Sequence, residues 1–261
     1  LDLWFRPADD QAMSYVPIAC AGAGIGLAFG LFGAGGSAFG TPVLAMMGVP
    51  APIAVASPLP AMLPAAVISA QQYLRAGMLD RRIAKLAVFA GVPAVLVGAL
   101  GSRVVDGRWL LVLSGLMLLG VGVRMLLPAR AGATGRCAAR RDSTVIVLAL
   151  VGAAGFVAGL LATGGGVLLV PIFVMALGFT TARAAGTSLV VAAALTVPTI
   201  AAHWCLGNID WSIAGAFALG MIPTSVLAAR LGVRAPDRIT RPAFGSVLLV
   251  FSLFFVVRQF G

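Results

Sequence analysis

Long apolar blocks alternate along the chain with short polar clusters. Blocks such as 86–102, 109–123, 144–162, 184–208, 211–229 and 244–257 contain no Asp, Glu, Lys or Arg. A helix that crosses a bilayer needs about 20 such residues. The pattern predicts five apolar segments in the first half of the chain, at 14–33, 38–48, 51–74, 83–102 and 109–127. It predicts five more in the second, at 143–162, 167–177, 184–206, 211–230 and 242–259. The second segment of each half is too short for a full crossing, and each is preceded by a cluster of glycines. Composition agrees: 61% of residues are hydrophobic, 10% are charged, and mean hydropathy is +1.06. An ordinary soluble domain is about one-quarter charged.

The halves repeat each other. Gly26, Gly30, Gly35, Gly36 and Pro42 stand 129 residues before Gly155, Gly159, Gly164, Gly165 and Pro171. Beyond one inserted residue the offset is 130, pairing Gly48 with Gly178, Ser57 with Thr187, Gly77 with Gly207, Asp80 with Asp210, and Pro93 with Pro223. The domains expected are therefore a tail at 1–13, a first repeat at 14–127, a linker at 128–142 and a second repeat at 143–261. The acids of Leu1 to Gln11 outweigh Arg6, so this stretch reads as a tail and not a signal peptide. With no initiating Met, the numbering is expected to begin inside a longer chain.

The net charge of +10 comes from arginines clustered between apolar blocks. That is the distribution of positive-inside loops, and no basic-aromatic surface for nucleic acid accompanies it. With an odd number of crossings per half, one face collects Arg75, Arg81, Arg82, Lys85, Arg124, Arg183, Arg230, Arg234 and the linker arginines. An even number would set the basic stretch at 230–241 opposite that at 75–85. The expected fold is thus an all-α polytopic membrane protein with two inverted-topology repeats of about five segments each. Short Gly-led half-helices interrupt both repeats, the linker is cytoplasmic and both termini are extracytoplasmic.

Paired, Gly-interrupted segments in an inverted repeat point to a transporter's substrate site. Gly35, Gly36 and Ser37 in the first half, and Thr163, Gly164, Gly165 and Gly166 in the second, immediately precede or begin the short helices. Unpaired N–H groups at a helix start carry about half a positive charge and bind anions. The more widely spaced glycines (Gly22, Gly26 and Gly30; Gly155 and Gly159) suit close helix packing instead.

The doubled pattern G-x-x-x-G-x-x-[GA]-x-G-G, with Pro and then [GA]-[ST]-[SP]-L downstream, resembles the sulfite exporter TauE/SafE family over about 16–260. The resemblance implies a bacterial inner-membrane carrier for sulfite, sulfonates such as sulfoacetate, or related sulfur oxyanions. The first copy has Ser37 where the second has Gly166, and Pro58 and Pro60 replace commoner residues.

Other polar residues offer two roles each. The hydroxyls of Ser57, Thr187 and Ser188 could donate to an oxyanion or to helix carbonyls. Gln71, Gln72 and His203 end the third segments, as gate or pathway contacts or as interfacial anchors alongside Tyr73, Trp204 and Trp211. Arg183, aligned with Ile53, could draw anions to a cytoplasmic vestibule or serve as an ordinary positive-inside charge. Asp80 and Asp210 suit helix N-caps. No ionisable group is expected mid-span, which disfavours a cation pump. Cys20, Cys137 and Cys205 are too scattered for a disulfide or metal site.

These features predict a secondary transporter exporting a small sulfur-containing anion by alternating access. Its expected partners are the anion and the bilayer, without nucleic acid, metal or cofactor. The alternatives are an anion channel or a carrier for another small organic anion. An intramembrane enzyme would need a nucleophile, acid pair or metal cluster that the spans lack.

Overall fold

The structure, a computed structural model, describes residues 15–33, 36–102, 107–126, 143–161 and 166–260. The tail at 1–13 and the linker at 128–142 lie outside the described residues. Among those described there is helix and no strand. Isolated helices satisfy their own backbone groups, as a lipid environment requires. The first half forms α1 (Tyr15–Phe32), α2 (Gly36–Met46), α3 (Ala51–Ala56), α4 (Leu59–Arg75), α5 (Arg81–Gly101) and α6 (Gly107–Leu126). The second forms α7 (Thr144–Leu160), α8 (Gly166–Pro171), α9 (Thr181–Cys205), α10 (Trp211–Arg234) and α11 (Asp237–Phe260). A π-helical turn, Ile172–Ala176, continues α8.

Among the described residues, five helices are long and apolar enough to cross a membrane: α1, α3 and α4 together, α5, α9 and α10. Their outer faces carry large apolar side chains, with Phe89 77% and Leu219 78% exposed. Apolar exposure on this scale marks a surface that water does not cover. The short helices begin on Gly36 and Gly166, as the glycine pattern predicted. One expected segment divides: 51–74 becomes α3 and α4, because Pro58 and Pro60 supply no N–H donors. Ser57 and Pro58 nevertheless keep helical angles, so the two pieces run as one span.

The halves interlock. α1 packs along α10, and α7, its counterpart in the second half, packs along α5, the counterpart of α10. The widely spaced glycines make these contacts. A methyl group on Gly22, Gly26 or Gly30 would strike the backbone of α10 at Phe217, Met221 or Ser225. On Gly155 or Gly159 it would strike α5 at Gly91 or Val95. The packing role read from their spacing is therefore observed. The third helices, α4 and α9, pack together at the centre, and α6 packs on α11.

The repeat also recurs in fine detail. Gly77 and Gly207 have φ of +72° and +70° and end α4 and α9 with the same pair of hydrogen bonds. Met78 N–H donates to the Tyr73 carbonyl at 2.9 Å, and Asn208 N–H to that of His203 at 3.0 Å. This 6→1 bond through a left-handed glycine is the Schellman C-cap.

Candidate functional site

The site is built around the two places where a first helix stops and a short helix starts. α1 ends when Gly33, at φ +67°, turns the chain out of the helix. Gly33 N–H donates to the Phe29 carbonyl at 2.9 Å. The first turn of α9 passes directly beneath, and Ala185 leaves no room for a side chain at Gly33. One turn further along α9, the buried Ser188 hydroxyl lies 3.1 Å from the Gly33 carbonyl and 3.4 Å from that of Gly166. One side chain thus touches the end of the first helix in one half and the start of the short helix in the other.

Gly36 is buried, and a methyl there would meet Met62 Cγ at 2.8 Å and Met221 Cε at 2.9 Å. The glycine therefore faces flexible thioether chains from α4 and α10, not a backbone. Ser37 follows it in the first turn of α2. Gly35, Thr163, Gly164 and Gly165, all expected to line the substrate site, lie outside the described residues.

The remaining predicted hydroxyls tie the halves together. Thr187 Oγ accepts from the backbone N–H of Asp80 at 3.1 Å and donates to the Arg183 carbonyl at 2.8 Å. In the equivalent place Ser57 Oγ accepts from the backbone N–H of Asp210 at 3.0 Å. Both hydroxyls are thus engaged by backbone N–H groups of the opposite half. Both aspartates cap helices as expected: Asp80 accepts from Ile83 N–H, and Asp210 from Ser212 and Ile213 N–H.

Arg183 is held against the protein. Its guanidinium makes a 2.8 Å ion pair with Asp80 and sits 4.9 Å from the centre of the Phe179 ring. The carboxylate and the ring face together hold the guanidinium in place while leaving it partly exposed. Arg183 is thus a partnered cation that joins the first turn of α9 to the cap of α5.

Gln71 is exposed and Gln72 half-buried at the end of α4. His203 and Tyr73, equivalent at offset 130, are both buried, so neither is an interfacial anchor. Burial follows from where their polar tips go. Tyr73 Oη lies 3.0 Å from the Gly30 carbonyl and 2.9 Å from that of Leu31, in the last turn of α1. His203 Nδ1 lies 3.5 Å from the Asn208 amide, and its buried Nε2 has no hydrogen-bond partner among the described residues. Tyr73 thus braces carbonyls in the last turn of α1, where the helix runs out of N–H donors of its own. Trp204 and Trp211 are exposed and stack edge to face at 5.8 Å, consistent with an interfacial position.

Sequence reasoning missed Tyr73 as a bracing residue, although the repeat offset pairs it with His203. It also missed Met62 and Met221, which no polar signal marks. Thr41 on α2 and Ser69 on α4 are buried, and their hydroxyls have no hydrogen-bond partner among the described residues. Their signal was present: each is a lone hydroxyl in an apolar run. Among the described residues, no three His, Cys, Asp or Glu side chains come together as a metal site would require.

Comparison with known proteins places this architecture. Two relatives, from Xylella fastidiosa strains 9a5c and Temecula1, are each described as a probable membrane transporter protein. Each is 29% identical over 248 residues, covering 91% of this chain and 93% of its own length. No solved structure matches. The family model described as sulfite exporter TauE/SafE matches residues 18–255, nearly the whole interlocked bundle, and the chain belongs to that family.

Proposed function

We propose that this protein is a secondary transporter that exports a small sulfur-containing anion, sulfite or an organosulfonate, by alternating access. The observation that carries the reading is the Ser188 hydroxyl, within 3.4 Å of both Gly33 and Gly166. It brings the two glycine breaks to one place. There the N–H groups at the starts of α2 and α8 have no partners within their helices and favour negative charge. Gly35, Gly36, Ser37, Thr163, Gly164, Gly165 and Gly166 hold the anion through backbone N–H groups and short hydroxyls. Family membership supports the sulfur oxyanion as cargo, and the relatives' descriptions support membrane transport.

The inverted arrangement is part of the proposal. Reciprocal packing, α1 on α10 and α7 on α5, supports a two-fold relation between the halves. The positive-inside distribution sets that axis in the membrane plane, with the linker cytoplasmic and both termini outside the bacterial inner membrane. Alternating access is then one repeat rocking against the other around a midplane anion. A negative interior supplies about 2.3 kcal/mol per charge per 100 mV toward export.

The test is thermal stabilisation of the purified protein by sulfite, thiosulfate, sulfoacetate, taurine, chloride and acetate. A true substrate at a hundredfold excess over Kd adds about 2.7 kcal/mol to the native state. Stabilisation by sulfite or a sulfonate, with counterflow in proteoliposomes, is expected. No shift with any anion refutes the site, and flux without counterflow identifies a channel.

A further inference from the structure

The hydrogen-bonded frame between the halves is duplicated, but the charge on it is not. Thr187 receives the Asp80 N–H and Ser57 receives the Asp210 N–H, each across the boundary between halves. At the first of these joints Arg183 adds a 2.8 Å ion pair to Asp80. At the second, Ile53 occupies the equivalent position and offers Asp210 no cation. Asp80 therefore uses one carboxylate oxygen to cap α5 and the other to bind α9 of the opposite half.

We propose that the Asp80–Arg183 pair is a one-sided latch: it closes the face where α4 ends and α5 and α9 begin, and it opens in each transport cycle. The proposal rests on the alternating-access reading. Three features suit a reversible latch. The pair joins elements of different halves, 103 residues apart in sequence. Arg183 stands in the first turn of α9, where a helix dipole repels a cation, so something outside α9 must hold it there. The Asp80 carboxylate and the Phe179 ring do so. Finally, the Arg183 side chain is 42% exposed, and a pair so open to solvent is weak enough to break. A buried pair would lock the halves permanently. Under the charge-based topology the latched face is cytoplasmic, so the latch biases the resting protein against inward opening.

Ala184 and Ala54 are equivalent at offset 130, both fully buried, one beside each joint. Ala184→Cys and Ala54→Cys, each in a background with Cys20, Cys137 and Cys205 replaced by Ala, report opening of the two faces to a maleimide. The measurement is made on detergent-purified protein without substrate, so its outcome is independent of the cargo. Asp80→Asn keeps the helix cap and the backbone N–H but removes the charge. Arg183→Gln removes the other partner, and Arg183→Lys preserves the pair. Asp80→Asn and Arg183→Gln should each speed labelling at 184 by about three- to fivefold, the ratio a half-exposed ion pair supports. Labelling at 54 should not rise, the double variant should match either single, and Arg183→Lys should stay near the parent rate. Unchanged labelling at 184, an equal rise at both reporters, or additive single effects would overturn the latch.

Discussion

Glycines of two kinds, Gly30 near the end of α1 and Gly36 at the start of α2, lie close together in this chain, and alanine substitution should separate them. At Gly30 an added methyl meets the Ser225 carbonyl carbon at 2.8 Å and Ala228 Cβ at 2.9 Å, both fixed on α10. At Gly36 it meets Met62 Cγ at 2.8 Å and Met221 Cε at 2.9 Å. Ordinary carbon contacts begin near ~3.5 Å, so at Gly36 the thioether chains must retreat by roughly 0.7 Å. At Gly30 the Ser225 carbonyl oxygen is struck before either of those carbons, so the α10 backbone must retreat further still. Methionines do this by changing rotamer. A helix backbone does it only by separating α1 from α10 along their length. Overpacking of a rigid contact costs about 1–3 kcal/mol or more. The gain of up to about 1 kcal/mol from replacing a helical glycine favours alanine at both sites and largely cancels. At ~2–4 °C per kcal/mol, Gly30→Ala should lower Tm by about 5–10 °C and Gly36→Ala by less than about 3 °C. Transport should order them differently. If the start of α2 holds the anion, crowding it removes a charged hydrogen bond of about 1.5–3 kcal/mol, a tenfold loss or greater. Melting in detergent and uptake of the stabilising anion into proteoliposomes measure both. Native transport by Gly36→Ala with a native Tm refutes the α2 site. A parallel fall in Tm for both variants makes Gly36 another packing glycine.

Two further outcomes follow from the braces and bridges. Tyr73→Phe leaves the Gly30 and Leu31 carbonyls without their outside donor; a loss of about 1–2 kcal/mol is expected, read as a drop of a few degrees in Tm. An unchanged Tm would show that another group or water already serves those carbonyls. Ser188→Ala removes the contact to both glycine breaks. It should depress transport by more than its Tm change explains, and a variant with full activity would separate Ser188 from the anion's path.

The membrane class, the ten-segment plan, the short Gly-led helices and the two aspartate caps were legible in the residues themselves. All are local properties: a run of apolar side chains, a glycine next to a glycine, an aspartate three residues before a helix interior. The repeat offset was equally legible and paired Ser57 with Thr187 and Asp80 with Asp210 before any contact was seen. Packing partners were not. Glycine spacing announced close approach, but only the folded chain decided that α1 meets α10 and α7 meets α5, each across the halves. Hydroxyls of Ser57, Thr187 and Ser188 were visible in the sequence, but the backbone groups of the opposite half that meet them were not. The Asp80–Arg183 pair joins residues 103 apart, each of which alone looked complete, one as a cap and one as a loop cation. Hydropathy and backbone propensity act over one or two turns, so sequence carries them directly. Which carbonyl, carboxylate or thioether faces a given side chain depends on how whole helices cross, and only the tertiary structure settles that.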